Sequence, residues 1–223
     1  MSSARRLLDL TDYDFDGRCI LEDVIKSSAY GTLAQALASL TKFSHPLTVA
    51  QTDNKNIFCV VRSFTERGKP HSSGEAMCDD NTSPRDTFLW ANQLKIKNRG
   101  YLQFNHVWPR SQDMEVYTSL ANICITPSFL AKLTDGPQAS ASLLRYRVFE
   151  LYAGFKPSDC PDPDKPDGYD DLTWAEPLPS QESVEKNLWN AMKTKPGHCA
   201  VKSAHKFGWY FNGFKPLPAT GTI

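Results

Sequence analysis

The chain has 223 residues, a length that fits one elaborated domain or two small ones with a hydrophobic core. Hydrophobic residues make up 40% of the chain, and 25 basic residues balance 25 acidic ones, which argues against a disordered chain and predicts no partner from net charge. No run of roughly 18 apolar residues is present and the first residues do not resemble a signal peptide, so we expect a cytoplasmic protein with no membrane partner.

The six cysteines are spread along the chain, and none forms a C-x-x-C pair. This spacing argues against a zinc ribbon. Without a secretory signal we expect reduced, partly buried thiols, although an even count also permits three disulfides.

The first half of the chain combines helical and strand patterns. Apolar residues at helical spacing predict a helix over residues 21–43, with Gly31 as an interruption. A β-branched and apolar run predicts a strand over residues 56–62, and a long loop rich in Ser, Asp and Gly follows over residues 71–84. A short helix is expected from Pro84 to the residues before position 98.

The second half begins with a predicted strand over residues 101–104. Short helices are expected at residues 116–121 and from residue 127, and residues 138–152 carry the best helical pattern, with four apolar residues on one face. A final helix is expected over residues 183–192. The aromatic segment after it is expected to add a strand or to pack back on the core.

Charge is segregated towards the end of the chain. Residues 159–185 hold nine acidic side chains and one lysine, and prolines recur among them, which predicts a linker or an extended arm without a core. After Glu185 no acidic residue occurs, and six lysines alternate with aromatic residues. We therefore predict four regions: an N-terminal helical and strand region (1–95), a core with its following helix (96–156), an acidic Pro-rich arm (157–185) and a basic aromatic segment (186–223).

Two adjacent polar residues, Asn105 and His106, follow the strand predicted at residues 101–104. Hydrolysis of a phosphodiester needs a base for the attacking water and a cation for the phosphate charge. Histidine titrates near neutral pH and suits the first task, while an amide oxygen can ligate a hard divalent ion. Because successive strand residues point to opposite faces, we expect His106 to face the substrate and Asn105 a metal, or both to converge at the end of the strand.

The runs QFNHVWPRS at residues 103–111 and YTSLANICI at residues 117–125 resemble the core of the HNH endonuclease family. That core is a β-hairpin crossed by a helix with one metal ion, the ββα-metal fold. The resemblance implies that His106 is the general base, that Asn122 orients the hairpin and the base, and that Asn105 is a metal ligand. The resemblance covers residues 102–135. Together with the other predicted elements, it indicates an α+β fold that is mainly helical, with a small β-hairpin and an HNH-like core.

The sequence departs from the HNH pattern at the second metal ligand. The family usually places a His or Asn on the helix at the positions that are Leu130 and Ala131 here. The best oxygen ligand nearby is Asp135, which we take as the candidate for Mg²⁺ or Mn²⁺. Three alternatives stay open: a stretched spacing, a metal held by Asn105 and water alone, or a loss of catalysis.

The predicted function is metal-dependent endonucleolytic cleavage of DNA, with RNA as the other candidate nucleic acid. The alternative is a non-catalytic nucleic-acid-binding module with a degenerate HNH core. Candidate contacts to nucleic acid are Arg110, Arg145, Lys202 and Lys206. For Arg145 a solvated helix face is the alternative, and the C-terminal aromatic residues, which are candidates for stacking on bases, are alternatively part of the core. The oligomeric state stays open.

A competing signal lies near the start of the chain. Acidic residues at positions 12, 14, 16 and 23, with Gly17, match the outline of an EF-hand calcium loop. An aspartate is too short for the usual bidentate contact at the last position, so an acidic capping turn before a helix explains the same residues.

Overall fold

The computed structural model describes residues 16–97, 99–131, 138–212 and 215–216. Helices and short strands are both present, which confirms a mixed α+β chain. Within the described ranges, no helix combines the length and the apolar character needed to cross a membrane.

The N-terminal region consists of three helices, α1 (Gly17–Lys26), α2 (Leu33–Leu40) and α3 (Pro46–Ala50). Asp16 caps α1, because its Oδ1 accepts hydrogen bonds from the backbone N–H groups of Arg18 (2.8 Å) and Cys19 (3.3 Å). This supports the capping interpretation over a calcium loop, whose first residues lie outside the described part of the chain. Gly31 adopts φ +69° between α1 and α2, which confirms the predicted interruption.

Two small sheets lie in the middle of the fold. Strand β1 (Lys42–Phe43) pairs with β5 (Ile123–Pro127), and β5 pairs with β4 (Leu102–His106), all antiparallel. Strands β2 (Val60–Arg62) and β3 (Met77–Asp79) form a separate parallel pair. The loop predicted for residues 71–84 therefore contains a strand, which is short and buried and pairs with a partner distant in sequence.

Four further helices follow in the chain: α4 (Thr82–Ala91), α5 (Gln138–Leu151), α6 (Val184–Thr194) and α7 (Cys199–Phe207). The predictions of α4, α5 and α6 are confirmed, with shifted ends. The prediction of a helix over residues 116–121 is wrong, since only a 3₁₀ turn at Leu120–Asn122 forms there. The helix expected from residue 127 begins as a 3₁₀ turn, Ser128–Leu130.

The C-terminal segment belongs to the core. Ser203 donates its hydroxyl to the carbonyl of Cys59 (2.7 Å), which attaches α7 to the segment that leads into β2. Trp209 is 1% exposed and stacks on Phe58 with ring centroids 6.0 Å apart. The interpretation of Trp209 as a base-stacking residue is therefore wrong, and the alternative that the aromatic segment packs back on the core is confirmed for this side chain.

The acidic arm is docked along the N-terminal helices and β1. The backbone N–H of Ala175 donates to the carbonyl of Ala38, and that of Leu178 donates to the carbonyl of Phe43, both at 2.9 Å. Tyr169 is 4% exposed and joins the apolar cluster around α2. The arm is irregular, as predicted, but the expectation that it takes no part in a core is wrong.

A buried carboxylate connects α4, α6 and α7. Asp86 is 3% exposed and lies 2.8 Å from Arg85 Nη2, 3.0 Å from Lys195 Nζ and 3.3 Å from His198 Nε2. Burial alone would raise the pKa of Asp86, but these three neighbours together hold that pKa well below its ordinary value. The carboxylate is therefore ionised at neutral pH and holds the three helices together.

All six cysteines lie in the described residues and are free thiols. Four of them are buried (Cys59, Cys78, Cys124 and Cys199), which agrees with the expectation of reduced, partly buried thiols.

Candidate active site

The site forms around a hairpin whose strands are β4 and β5. His106 is the last residue of β4 and pairs with Ile123, the first residue of β5. Between them, residues 107–122 form a loop that folds back on the hairpin. The strands predicted by the HNH resemblance are thus present, and their register places His106 where the loop begins.

Asn122 holds the two ends of this loop together. It is fully buried, and its Oδ1 accepts a hydrogen bond from the backbone N–H of Trp108 (2.7 Å). Its Nδ2 donates to the carbonyl oxygens of Trp108 (3.1 Å) and Val116 (3.0 Å). The backbone N–H of Val107 also donates to the carbonyl of Asn122 (2.9 Å). These contacts fit the orienting role that the resemblance implies for Asn122.

The imidazole of His106 is fixed by the same loop. Its Nε2 lies 2.9 Å from the carbonyl oxygen of Tyr117, and its ring stacks on the Tyr117 ring with centroids 5.3 Å apart. A carbonyl oxygen only accepts hydrogen bonds, so Nε2 carries the proton in this contact. In the neutral ring the lone pair then resides on Nδ1, the nitrogen suited to take a proton.

Tyr117 is itself held rigidly beneath His106. Its side chain is fully buried, and its hydroxyl donates to Oδ1 of Asn81 (3.3 Å). Burial and the nearby carboxylate of Asp79 raise the pKa of Tyr117 far above its ordinary value, so its hydroxyl stays protonated. The next residue, Thr118, hydrogen bonds to the buried side chain of Asn56. The carbonyl that fixes His106 therefore has little freedom to move.

Tyr117, Asn81 and Asn56 were not predicted as site residues. Their roles depend on contacts between segments that are far apart in the sequence, and no local pattern marks them. Only the run around Tyr117 lay within the HNH resemblance.

Asn105 occupies a different environment from His106. It is 7% exposed, and its Nδ2 donates to Oγ1 of Thr126 on the neighbouring strand (2.8 Å). Strand alternation directs it to the face opposite His106, so the two side chains do not converge.

The two positions where the HNH family usually places the second ligand carry no donor side chain in this chain. Leu130 is fully buried in the apolar cluster around α2, and Ala131 carries no donor atom. Asp135 lies outside the described residues. Within the described ranges, no three His, Cys, Asp or Glu side chains are grouped as metal ligands. One buried amide does not fit a hard-cation site, which uses several oxygen ligands.

Comparison with family models, with curated proteins and with solved structures found no match to this chain.

The predicted nucleic-acid contacts are dispersed over the fold. Arg110 lies in the loop after His106, but its guanidinium is 2.8 Å from Asp159 of the acidic arm. Arg145 lies on α5, and its guanidinium lies 4.8 Å from the centroid of the Trp108 ring. Lys202 and Lys206 are on α7, and Lys206 Nζ lies 5.1 Å from the centroid of the Phe207 ring.

Arg145 contacts the ring of Trp108, and the backbone N–H of Arg110 donates to the carbonyl of Trp108 (2.8 Å), so both arginines are close to the loop that holds His106. Arg110 would have to exchange its carboxylate partner for a phosphate.

Proposed function

We propose that the chain is an HNH-type endonuclease that hydrolyses phosphodiester bonds in DNA, with His106 as the general base. The observation that carries the proposal is the contact between His106 Nε2 and the Tyr117 carbonyl at 2.9 Å. This contact selects the tautomer in which Nε2 carries the proton and fixes the orientation of the ring.

A general base needs a fixed orientation as well as a suitable pKa. The stacked Tyr117 ring restricts rotation of the imidazole, and Asn122 fixes the loop that supplies the Tyr117 carbonyl. When Nδ1 takes a proton from an attacking water, the Tyr117 carbonyl continues to accept the Nε2–H of the resulting imidazolium. The carbonyl dipole therefore stabilises the charge that develops on His106.

The proposed cofactor is Mg²⁺ or Mn²⁺, and it rests on the HNH resemblance. A divalent ion supplies charge neutralisation at the phosphate and the leaving oxygen. The described residues alone do not supply the several oxygen ligands that such an ion requires.

A second candidate function is nucleic-acid binding without turnover. Leu130 and Ala131, at the positions where the family usually places a metal ligand, are apolar, which favours this function. The hydrogen bond from the buried Asn105 side chain to Thr126 favours it as well, because it engages the amide that would bind the metal. A chain of this kind would keep the hairpin and the fixed His106 but would not cut.

Nicking of a supercoiled plasmid, with Mg²⁺, with Mn²⁺ and with EDTA, separates these functions. The wild-type protein is compared with His106→Ala and with the matched control His71→Ala, which replaces a half-buried histidine in the loop before β3. We expect nicking by the wild type and by the control, and its loss in His106→Ala. Metal-dependent cutting that survives His106→Ala would contradict the assignment of the base. Binding without any cutting of DNA or RNA would support the second function.

A further inference from the structure

A basic and aromatic surface lies at the end of the hairpin opposite His106. We call it the hairpin-end surface and define it by Lys95, Lys97, Tyr101, Leu102 and Phe129. The stretch 87–112, which supplies four of these residues, contains four basic residues and no Asp or Glu. In a chain with equal numbers of acidic and basic residues, this is a local excess of positive charge.

The apolar side chains of this surface are unusually exposed. Tyr101 is 78% exposed, Phe129 is 55% exposed and Leu102 is 40% exposed. The first two lie on the 3₁₀ turns Arg99–Tyr101 and Ser128–Leu130, which are joined by a hydrogen bond from Ser128 Oγ to the carbonyl of Gly100 (3.0 Å). The two rings therefore project from adjacent, connected turns, although burial would be the usual state for side chains of this size.

The lysines border the same surface. Lys95 and Lys97 are exposed and flank Ile96, which lines a cavity of about 200 Å³ with Leu102 and Phe104. This cavity places the segment that carries the lysines beside β4.

The hairpin-end surface is connected to His106 by one strand face. Leu102, Phe104 and His106 occupy every second position of β4, so their side chains lie on the same face of the strand. At about 3.3 Å per strand residue, Leu102 and His106 are about 13 Å apart.

Exposed aromatic rings beside lysines match the chemistry of a single strand of DNA. Its unpaired bases have apolar faces that stack on aromatic side chains, and its phosphates attract lysine. Paired bases in a duplex do not offer these faces to a ring outside the helix. We propose that single-stranded DNA binds across the hairpin-end surface, with bases on Tyr101 and Phe129 and phosphates near Lys95 and Lys97, and that it continues along β4 to His106. This deepens the proposed nuclease function and rests on it for the role of His106 only.

The test is fluorescence anisotropy with a labelled oligo(dT) of about 15 nucleotides, on the full chain in the His106→Ala background, so that cleavage does not affect binding. Since each stacked base contributes about 1–3 kcal/mol, we expect Tyr101→Ala with Phe129→Ala to weaken binding by at least about 30-fold. The matched control is Phe64→Ala, which removes a ring that is 69% exposed on the segment after β2. We expect this control to leave binding unchanged.

The lysines are tested by the salt dependence of the same binding. Lys95→Ala with Lys97→Ala should reduce the slope of log K against log salt by about 1.4, because each phosphate contact to a single strand contributes about 0.7. The matched control is Lys186→Ala with Lys193→Ala on α6, which should leave the slope unchanged. Far-ultraviolet circular dichroism confirms that each variant is folded.

Three outcomes would overturn the proposal: no binding of oligo(dT), binding that is insensitive to Tyr101→Ala with Phe129→Ala, or tighter binding of oligo(rU) or of duplex DNA of equal length. Loss of self-association in the ring variant, without any DNA binding, would assign the surface to a second copy of the chain. In each of these cases, plasmid nicking by the wild type would still support the proposed nuclease function. If the wild type does not nick plasmid, the oligo(dT) measurement still tests binding at the hairpin-end surface.

Discussion

Replacing Asn122 with alanine removes three side-chain hydrogen bonds that hold the loop after His106. The side chain is fully buried, and the bonds join it to the backbone of Trp108 and Val116 at 2.7–3.1 Å. At about 1 kcal/mol net for each bond, the free energy of unfolding should fall by about 3 kcal/mol. Urea unfolding followed by tryptophan fluorescence measures this change. A loss below about 0.5 kcal/mol, the range of ordinary surface substitutions, would refute the reasoning.

The rate of nicking should also fall in the same variant, even when it is corrected for the folded fraction. Tyr117, whose carbonyl fixes His106, directly follows Val116 in the loop that Asn122 holds. A misplacement of about 1 Å costs a catalytic group about 100-fold in rate, so nicking per folded molecule should fall by about that factor. Asn122→Asp should not restore it, because a carboxylate in place of the amide would face the two carbonyl oxygens.

The matched control is Asn92→Ala. Asn92 is 3% exposed, and its Nδ2 donates to Ser44 Oγ and to the carbonyl of Phe88, both at 2.9 Å; neither partner belongs to the loop after His106. We expect a loss of about 2 kcal/mol in stability from these two bonds, with unchanged nicking per folded molecule. Equal losses of nicking in the two variants would contradict a specific role for Asn122.

Three further predictions concern the rest of the fold. The depressed pKa of Asp86 stabilises the protein above the unfolded value of about 3.9, and this stability is lost as pH falls below it. The urea midpoint of Asp86→Asn should therefore depend less on pH, in the acid range, than the midpoint of the wild type. At neutral pH this variant should lose about 3–5 kcal/mol in the free energy of unfolding. The control Asp170→Asn removes an exposed ion pair and should change stability by less than about 1 kcal/mol. Trp209→Ala should cost about 3–5 kcal/mol in urea unfolding, and a loss below about 1 kcal/mol would contradict its place in the core. Burial raises the pKa of the Cys59 thiol to about 12, so a thiol reagent at mildly alkaline pH should label exposed Cys19 much faster, and equal rates by mass spectrometry would contradict this burial.

Much of the local structure around His106 was predictable from the sequence. The strand predicted at residues 101–104 corresponds to β4, which the structure places at Leu102–His106. The HNH resemblance implied the hairpin that joins His106 to Asn122. The periodicity of residues 138–152 marks α5 because a whole helical face is apolar. These features depend on residues close together in the chain, where pattern and geometry are directly linked.

The contacts that complete the fold were not predictable in the same way. Strand β3 has only three residues, lies in a polar stretch and pairs in parallel with β2, so neither length nor alternation marks it. The acidic arm looked solvated because its charges and prolines dominate the composition. Its backbone nevertheless donates hydrogen bonds to α2 and β1, while Tyr169 packs against the apolar cluster around α2.

The candidate site shows the same division. His106 was predicted as a candidate base from the residues next to it in the sequence. Tyr117, whose carbonyl fixes the tautomer of His106, lies in the loop before Asn122 and belongs to no motif. The opposite orientation of Asn105 follows from strand alternation and was one of the two arrangements predicted from the sequence. The hydrogen bond from Asn105 to Thr126 depends on the register between β4 and β5, which no local pattern gives.

The rate of phosphodiester cleavage by His106→Ala, relative to the wild type and at equal folded fraction, tests the central claim most directly. Loss of a general base predicts a rate at least about 100-fold lower, with oligonucleotide binding retained. A cleavage rate equal to that of the wild type would contradict the assignment of His106 as the base.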